Sequence, residues 1–177
     1  SVAVCFLHSY LNPVHELAAV ERLKQALPGI SISRSSDVLP QIKEYERVST
    51  TIVNAYVEPI VRRYLTNLET RLTEAGFKGS LFVLLSHGGM APVEGASRLA
   101  AGTVLSGPAG GMSGGRRCSD LIGIPDLVPF DMGGTSTDGW HYAGEFEREF
   151  ETQVAGVRMR APMMSIHTVA AGGGSIR

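Results

Sequence analysis

Glycine placement constrains this chain more than any other feature of its sequence. Of 21 glycines in 177 residues, only Gly29, Gly76 and Gly79 precede residue 80; the other 18 fall between Gly88 and Gly174. The content is about 12% against a usual ~7%. No three-residue period runs through it, which excludes a collagen-like chain. The 44% hydrophobic content excludes a loose Gly/Pro linker. The pattern predicts a globular α/β body whose second half carries several tight backbone loops, clustered at 88–89, 107–115, 133–134 and 172–174.

Charge narrows the class further. Sixteen Lys and Arg stand against 17 Asp and Glu, a balance that argues against a nucleic-acid or membrane-surface protein. The length fits one domain or two small ones, enough to form a core without disulfide or metal. Cys5 and Cys118 form no metal or redox motif. Cys5 lies in the apolar run Val2–Leu7 and reads as a buried thiol, which points to a reducing, cytoplasmic location. No segment approaches the ~20 apolar residues of a membrane span. The chain opens directly in an apolar strand and stops just past Gly172–Gly174. That pattern is expected of a piece of a longer protein, and it places the partner of the last glycine cluster outside these residues.

Periodicity supplies the elements. Val2–His8 reads as a buried strand. Asn12-Pro13 reads as an N-cap and first helical residue, opening a helix to about Leu27 that ends at Pro28-Gly29. Ile30–Ser33 completes a βαβ unit. From Ser49 to Ala75, Ile52, Tyr56, Ile60, Tyr64, Leu68 and Leu72 recur every four residues beside Val53, Val57, Val61 and Leu65, which predicts one broad apolar helix face. Pro59 is expected to kink or split that helix. Gly76 is its expected C′ residue.

Leu81–Leu85 reads as a strand running into the loop Ser86–Gly89. A short helix follows near Val93–Ala101, then an extended piece at Thr103–Leu105 and a glycine-lined helix from Pro108. Strands are expected at Leu127–Phe130 and Trp140–Tyr142, flanking a polar hairpin tip, and again near Phe146–Thr152 and Met164–Val169.

The tip Asp131–Asp138 (DMGGTSTD) is the strongest chemical candidate. Gly133 and Gly134 let backbone N–H groups approach an anion without a Cβ in the way. Thr135, Ser136 and Thr137 add hydroxyls, and Asp131 and Asp138 offer the hard oxygens a divalent cation needs. The plain alternative is an ordinary hairpin turn. Leu105–Gly115 reads as a helix-packing surface or a second anion loop. His87 follows a strand and is either a donor to a ligand or a solvated loop residue. His8, His15, His141 and His167 show no zinc spacing, and none of Ser86, Ser106 and Ser175 sits in a nucleophile elbow. Walker and GxGxxG loops are absent from the sequence.

Taken together, DMGGTSTD (Asp131–Asp138), LSGPAGG (Leu105–Gly111) and IHTVAAGGGSI (Ile166–Ile176) resemble the hydantoinase A / 5-oxoprolinase family. CFLHSYLNPVHE (Cys5–Glu16), ALPG (Ala26–Gly29) and EYERVSTTIVNAYVEP (Glu44–Pro59) extend the resemblance over the whole chain. The resemblance implies an α/β, actin-like ATPase fold of the Hsp70 and sugar-kinase kind, a mixed sheet with flanking helices and a β-hairpin phosphate loop. Residues 1–104 are then expected to end the first lobe and link to the second, and residues 105–177 to begin the second lobe with its connecting helix. An early phosphate hairpin and the adenosine segment are expected elsewhere in a longer chain.

The implied activity is an ATP-dependent opening of a cyclic amide, such as a hydantoin, 5-oxoproline or a related lactam. ATP activates the amide carbonyl and a hydantoinase B-type subunit or domain completes the reaction. Ketone carboxylation is the variant within the family, and a chaperone-like or reactivating ATPase is the rival outside it. By the resemblance, Asp131 is the catalytic residue. Gly133, Gly134, Thr135, Ser136 and Thr137, with Gly107 and Gly110, would bind ATP. Asp131 and Asp138 would hold Mg²⁺ through water. Three departures stand out: His87 where the family usually has Asn, Gly139-Trp140 where an aliphatic residue usually follows TSTD, and Arg177 where a small residue is common.

Overall fold

The computed structural model describes residues 1–154 and 156–175; the Arg177 departure lies outside them. β1 (Val2–Val4) and β2 (Ile32–Arg34) pair in parallel, joined by α1 (Val14–Ala26), so the expected βαβ unit forms. Its boundaries differ from the sequence reading. β1 stops at Val4, and Phe6–Asn12 is a turn closed by Ser9 and Leu11 amides on the carbonyls of Phe6 and His8. Cys5 is half-buried, not buried. Pro13 takes the N-cap position one residue later than expected. Asn12 serves as an Asx acceptor, its Oδ1 3.2 Å from the Val14 amide.

After the single turn α2 (Ser35–Val38) comes α3 (Glu44–Glu74), 31 residues in one unbroken helix. Pro59 does not split it. Gly76 follows it at φ +89°, in the left-handed conformation that suits a C′ glycine.

The face α3 buries is not the one the four-residue apolar row suggests. Ile52, Tyr56, Ile60 and Tyr64 are all more than half exposed. The buried residues are Arg47, Ser49, Thr50, Thr51, Asn54, Ala55, Glu58 and Leu65. The reason is what α3 packs against: short strands and turns rich in backbone groups that no sheet satisfies. Asn54 donates to the Arg98 carbonyl and Ser33 Oγ and accepts from the Ala101 amide, each at 3.0 Å. Glu58 accepts from Ser33 Oγ, Thr50 Oγ1 from the Arg160 amide, and Ser49 Oγ donates to the Arg158 carbonyl. Buried backbone groups need partners, and here a polar helix face supplies them. The parallel row of Val53, Val61 and Leu65 does turn inward and joins two small apolar clusters.

β3 (Phe82–Leu84) pairs antiparallel with β4 (Met90–Pro92), a strand the sequence reading missed. α4 (Val93–Arg98) and a 3₁₀ turn (Ala100–Thr103) follow, so the expected extended piece at Thr103–Leu105 is not extended. α5 runs from Ser106 to Ile122 and ends on Gly123 at φ +71°.

The second half holds β5 (Asp126–Leu127), β6 (Phe130–Met132), β7 (Thr137–Gly139), β8 (Tyr142–Ala143), β9 (Arg148–Glu149), β10 (Thr152–Val154), β11 (Val157–Met159), β12 (Met163–Met164) and β13 (His167–Val169). Pro129 separates β5 from β6, so the single strand expected at Leu127–Phe130 is two. Among the described residues the strands form a mixed α/β arrangement of one parallel pair and several small antiparallel sheets, not one continuous sheet. The core is likewise divided into three apolar clusters, the one nearest the candidate site built from Ala109, Met112, Trp140 and Met164. No helix among the described residues is long and apolar enough to cross a membrane.

Candidate functional site

The expected hairpin forms, and its register sets its chemistry. β6 and β7 pair antiparallel with Asp131 opposite Asp138 and Met132 opposite Thr137. The second strand therefore begins at Thr137, earlier than the expected Trp140, and only Gly133–Ser136 make the tip. β13 adds a third strand, placing Thr168 opposite Asp138. Side chains alternate across a strand, so Asp131, Asp138 and Thr168 share one face in a row. Thr168 Oγ1 donates to Asp138 Oδ1 at 2.6 Å. Cβ atoms of directly opposed residues lie ~5 Å apart, and like charges there repel. Two carboxylates held in that relation are a cost to the bare hairpin and an asset to a cation.

The tip is fixed from behind by the last glycine cluster. The amides of Gly173 and Gly174 donate to the carbonyls of Gly133 and Gly134, at 3.0 and 2.9 Å. Thr137 Oγ1 donates to the Ala171 carbonyl at 2.6 Å. A Cβ on Gly172 would stand 2.5 Å from the Gly133 carbonyl oxygen, so only glycine permits this contact. The partner of Gly172–Gly174 thus lies within the chain, contrary to the expectation that it lay outside.

This latch also orients the tip. In a trans peptide the C=O and N–H point in opposite directions. With the Gly133 and Gly134 carbonyls turned toward the 172–174 loop, the Gly134 and Thr135 amides point away from it. Neither has a hydrogen-bond partner among the described residues. Successive amides aimed the same way form an anion-binding concavity. Gly133 N is used inside the turn, donating to the Ser136 carbonyl at 2.9 Å.

Other candidate residues separate. Gly107 faces open space at the start of α5. Gly110 is a packing glycine: a Cβ there would lie 3.3 Å from Leu84 Cδ2. Gly111 and Gly115 receive Trp140, the former with Cη2 3.0 Å from where a Cβ would be. The Gly139-Trp140 departure therefore joins the hairpin base to α5. Ser86, fully buried, is a structural hub: its Oγ accepts from the Leu105 amide and its carbonyl from the Met164 amide.

The donor set suits Mg²⁺ with ATP. Among the described residues no three His, Cys, Asp or Glu side chains gather into a closed cage. Two carboxylates beside an anion concavity match an ion that keeps waters and takes phosphate oxygens as ligands.

Comparison with known proteins agrees with the order of these elements. The chain is 40% identical to 5-oxoprolinase of Saccharomyces cerevisiae over 178 residues, covering 99% of itself and 14% of that protein. It is 35% identical to caprolactamase subunit alpha of Pseudomonas jessenii, covering 99% of itself and 25% of that subunit. The nucleotide-free structure of acetone carboxylase superposes with a TM-score of 0.83 at 30% identity, over 96% of this chain and 24% of the other. The chain thus spans a quarter or less of the length of these relatives. The sequence profile of the family described as Hydantoinase/oxoprolinase matches residues 47–177, and the chain belongs to that family.

Proposed function

We propose that this chain is the phosphate-binding portion of an actin-like ATPase and that the full-length protein opens a cyclic amide at the expense of ATP. In this reading residues 1–104 close the first lobe and residues 105–177 begin the second. One observation carries it: opposed Asp131 and Asp138 beneath a tip whose Gly134 and Thr135 amides are turned outward by the 172–174 latch.

Asp131 is the catalytic residue, and with Asp138 it holds Mg²⁺ through water. Gly133 and Gly134 leave room for phosphate oxygens, and Thr135 and Ser136 add hydroxyl donors. Thr137 stiffens the tip through Ala171. Gly107 lies open beside the start of α5, and Gly110 sets the helix close enough to serve the same cleft. ATP, when bound, supplies the phosphoryl group that makes an inert ring carbonyl electrophilic. The chain's own residues contribute position and charge stabilisation, on which phosphoryl transfer chiefly depends. The ring is a hydantoin, 5-oxoproline or a lactam, and a hydantoinase B-type subunit or domain is the partner, as the name of the caprolactamase alpha subunit supports.

The test uses the full-length protein with its B-type partner. ADP release should rise with one ring substrate of a panel of 5-oxoproline, hydantoin and caprolactam, with matching ring opening. Asp131→Asn should lower kcat by about 10²-fold or more. ATP turnover stimulated by unfolded polypeptide, without ring opening, would replace this reading with a chaperone-type ATPase. The likeness to acetone carboxylase supports a second reading, ATP-dependent ketone carboxylation. Bicarbonate-dependent consumption of acetone, with no ring opening, would select it.

A further inference from the structure

A second polar site lies apart from the hairpin. A pocket of 560 Å³ opens between the β3–β4 loop, the middle of α5 and β9, within the size range of small-molecule sites. Its charged walls are Arg116, Arg117 and Arg148 against a single acid, Asp120, and Phe146 lends an apolar floor. None of the hairpin residues 131–138 lines it.

The charge there is not compensated locally. Asp120 reaches only Arg116, and loosely, at 3.9 Å. Among the described residues neither Arg117 nor Arg148 has a carboxylate within ion-pair distance. The two glutamates flanking Arg148 are engaged elsewhere. Glu147 meets His141 at 3.2 Å, and Glu149 accepts from Ser165 Oγ at 2.7 Å. Strand alternation turns Arg148 away from both. The lining therefore carries a net charge of two positive.

The loop over the pocket is shaped to present a donor. Gly89 N donates to His87 Nδ1 at 3.1 Å, so the neutral ring carries its proton on Nε2. Gly88 sits at φ +84°, and a Cβ on it would strike Met164 Cε at 2.1 Å; a Cβ on Gly89 would strike the His87 ring at 2.3 Å. Gly89 thus leaves room for the imidazole to fold over the loop at the pocket edge, and Gly88 supplies the left-handed turn before it.

We propose that this pocket binds a dianionic organic oxyanion, a phosphate monoester or a dicarboxylate, through Arg117, Arg148 and His87, independently of the nucleotide hairpin. Planar guanidinium groups grip either kind of oxyanion in pairs of charge-assisted hydrogen bonds. The volume exceeds what inorganic phosphate fills, and Phe146 offers apolar contact to a carbon skeleton.

The experiment is calorimetric titration of the full-length protein with inorganic phosphate and, separately, malonate, at ionic strength held constant with chloride. Wild type, Arg117→Gln/Arg148→Gln, His87→Phe and Asp131→Asn are compared. All the pocket substitutions fall on exposed side chains, and unchanged circular dichroism verifies the fold. Saturable binding of at least one anion is expected, weakened about tenfold or more in the double variant and less in His87→Phe, and unchanged in Asp131→Asn. Phosphate alone assigns the pocket to monoesters and malonate alone to dicarboxylates. Absence of saturable binding, equal affinity in the double variant, or loss of binding in Asp131→Asn overturns the proposal; the last would move the site to the hairpin.

Discussion

Glu16 and Arg47 are both fully buried, and they hold the two backbone groups of one residue, Phe6. Glu16 Oε1 accepts the Phe6 amide at 2.8 Å, while Arg47 Nη2 donates to the Phe6 carbonyl at 2.7 Å. Ser35 Oγ and the Ser36 amide complete the carboxylate shell at 2.6 and 2.9 Å. Burial pushes the Glu16 carboxyl up, but these hydrogen bonds outweigh it and hold the group below the usual carboxylate range. A folded-state value below the unfolded one means that Glu16 stabilises the fold above about pH 4.3. That contribution disappears as pH falls through the lowered folded value. Glu16→Gln should cost about 2–3 kcal/mol at pH 7 and flatten the acid limb of a Tm-against-pH curve below about pH 5. An unchanged acid limb would show that the shell is incidental. Asp138 poses the opposite case. Removing one of two opposed charges should raise the stability of Asp138→Asn by about 0.2–1 kcal/mol in Mg²⁺-free buffer, while Mg²⁺-dependent ATP turnover falls about 10²-fold. A thermal melt beside a turnover assay separates the two effects. Loss in both would make Asp138 a plain structural residue.

Among the elements, α5 shows why glycine content misleads when position is ignored. Gly114 faces open space, whereas Gly111 lies against the Trp140 ring. Alanine is favoured over glycine in a helix by ~1 kcal/mol. Gly114→Ala should therefore raise stability by about that amount. Gly111→Ala should fail to, because the Cβ enters the first contact distance of a ring buried among Ala109, Met112 and Met164. Melting curves of the full-length protein read both outcomes. Equal gains in the two variants would mean that the helix does not seat the hairpin base. The helix α3 carries the complementary lesson. Its every-fourth-residue apolar row was legible and its length nearly so, but periodicity does not say which of two adjacent rows turns inward. The choice fell to Asn54 and Thr50, whose partners include the Arg98 carbonyl and the Arg160 amide, and to Glu58, which takes the Ser33 hydroxyl; no pattern announces these meetings.

For the molecule as a whole, 11112 Å² of accessible surface stands against roughly 8,300 Å² for a compact monomer of this mass. Large apolar side chains lie on it. Ile52, Tyr56, Ile60 and Tyr64 line one side of α3, and Phe130, Met132 and Val169 line the hairpin face opposite the two aspartates. Surfaces of this kind mark contacts with other protein. The isolated 177-residue chain should accordingly bind an apolar dye, unfold over a broad range and hydrolyse ATP far more slowly than the full-length protein. A sharp cooperative melt at the full-length Tm, or turnover matching it, would sink that expectation.

The sequence by itself determined the local matters: the βαβ start, the long helix and its glycine stop, the hairpin with its paired acids, and the family to which the order of motifs belongs. The first three rest on short-range rules of periodicity, capping or turn chemistry, which residues within a few positions of one another satisfy; the family rests on the resemblance of whole motifs. Tertiary structure alone decided the rest. It turned the polar face of α3 inward, set Trp140 on the glycines of α5, and brought Gly172–Gly174 behind Gly133–Gly134. The physical reason is common to all three. Each matches a group that lacks a local partner, an unsatisfied carbonyl or an open glycine face, with another more than 20 residues away, and no short-range signal records that meeting.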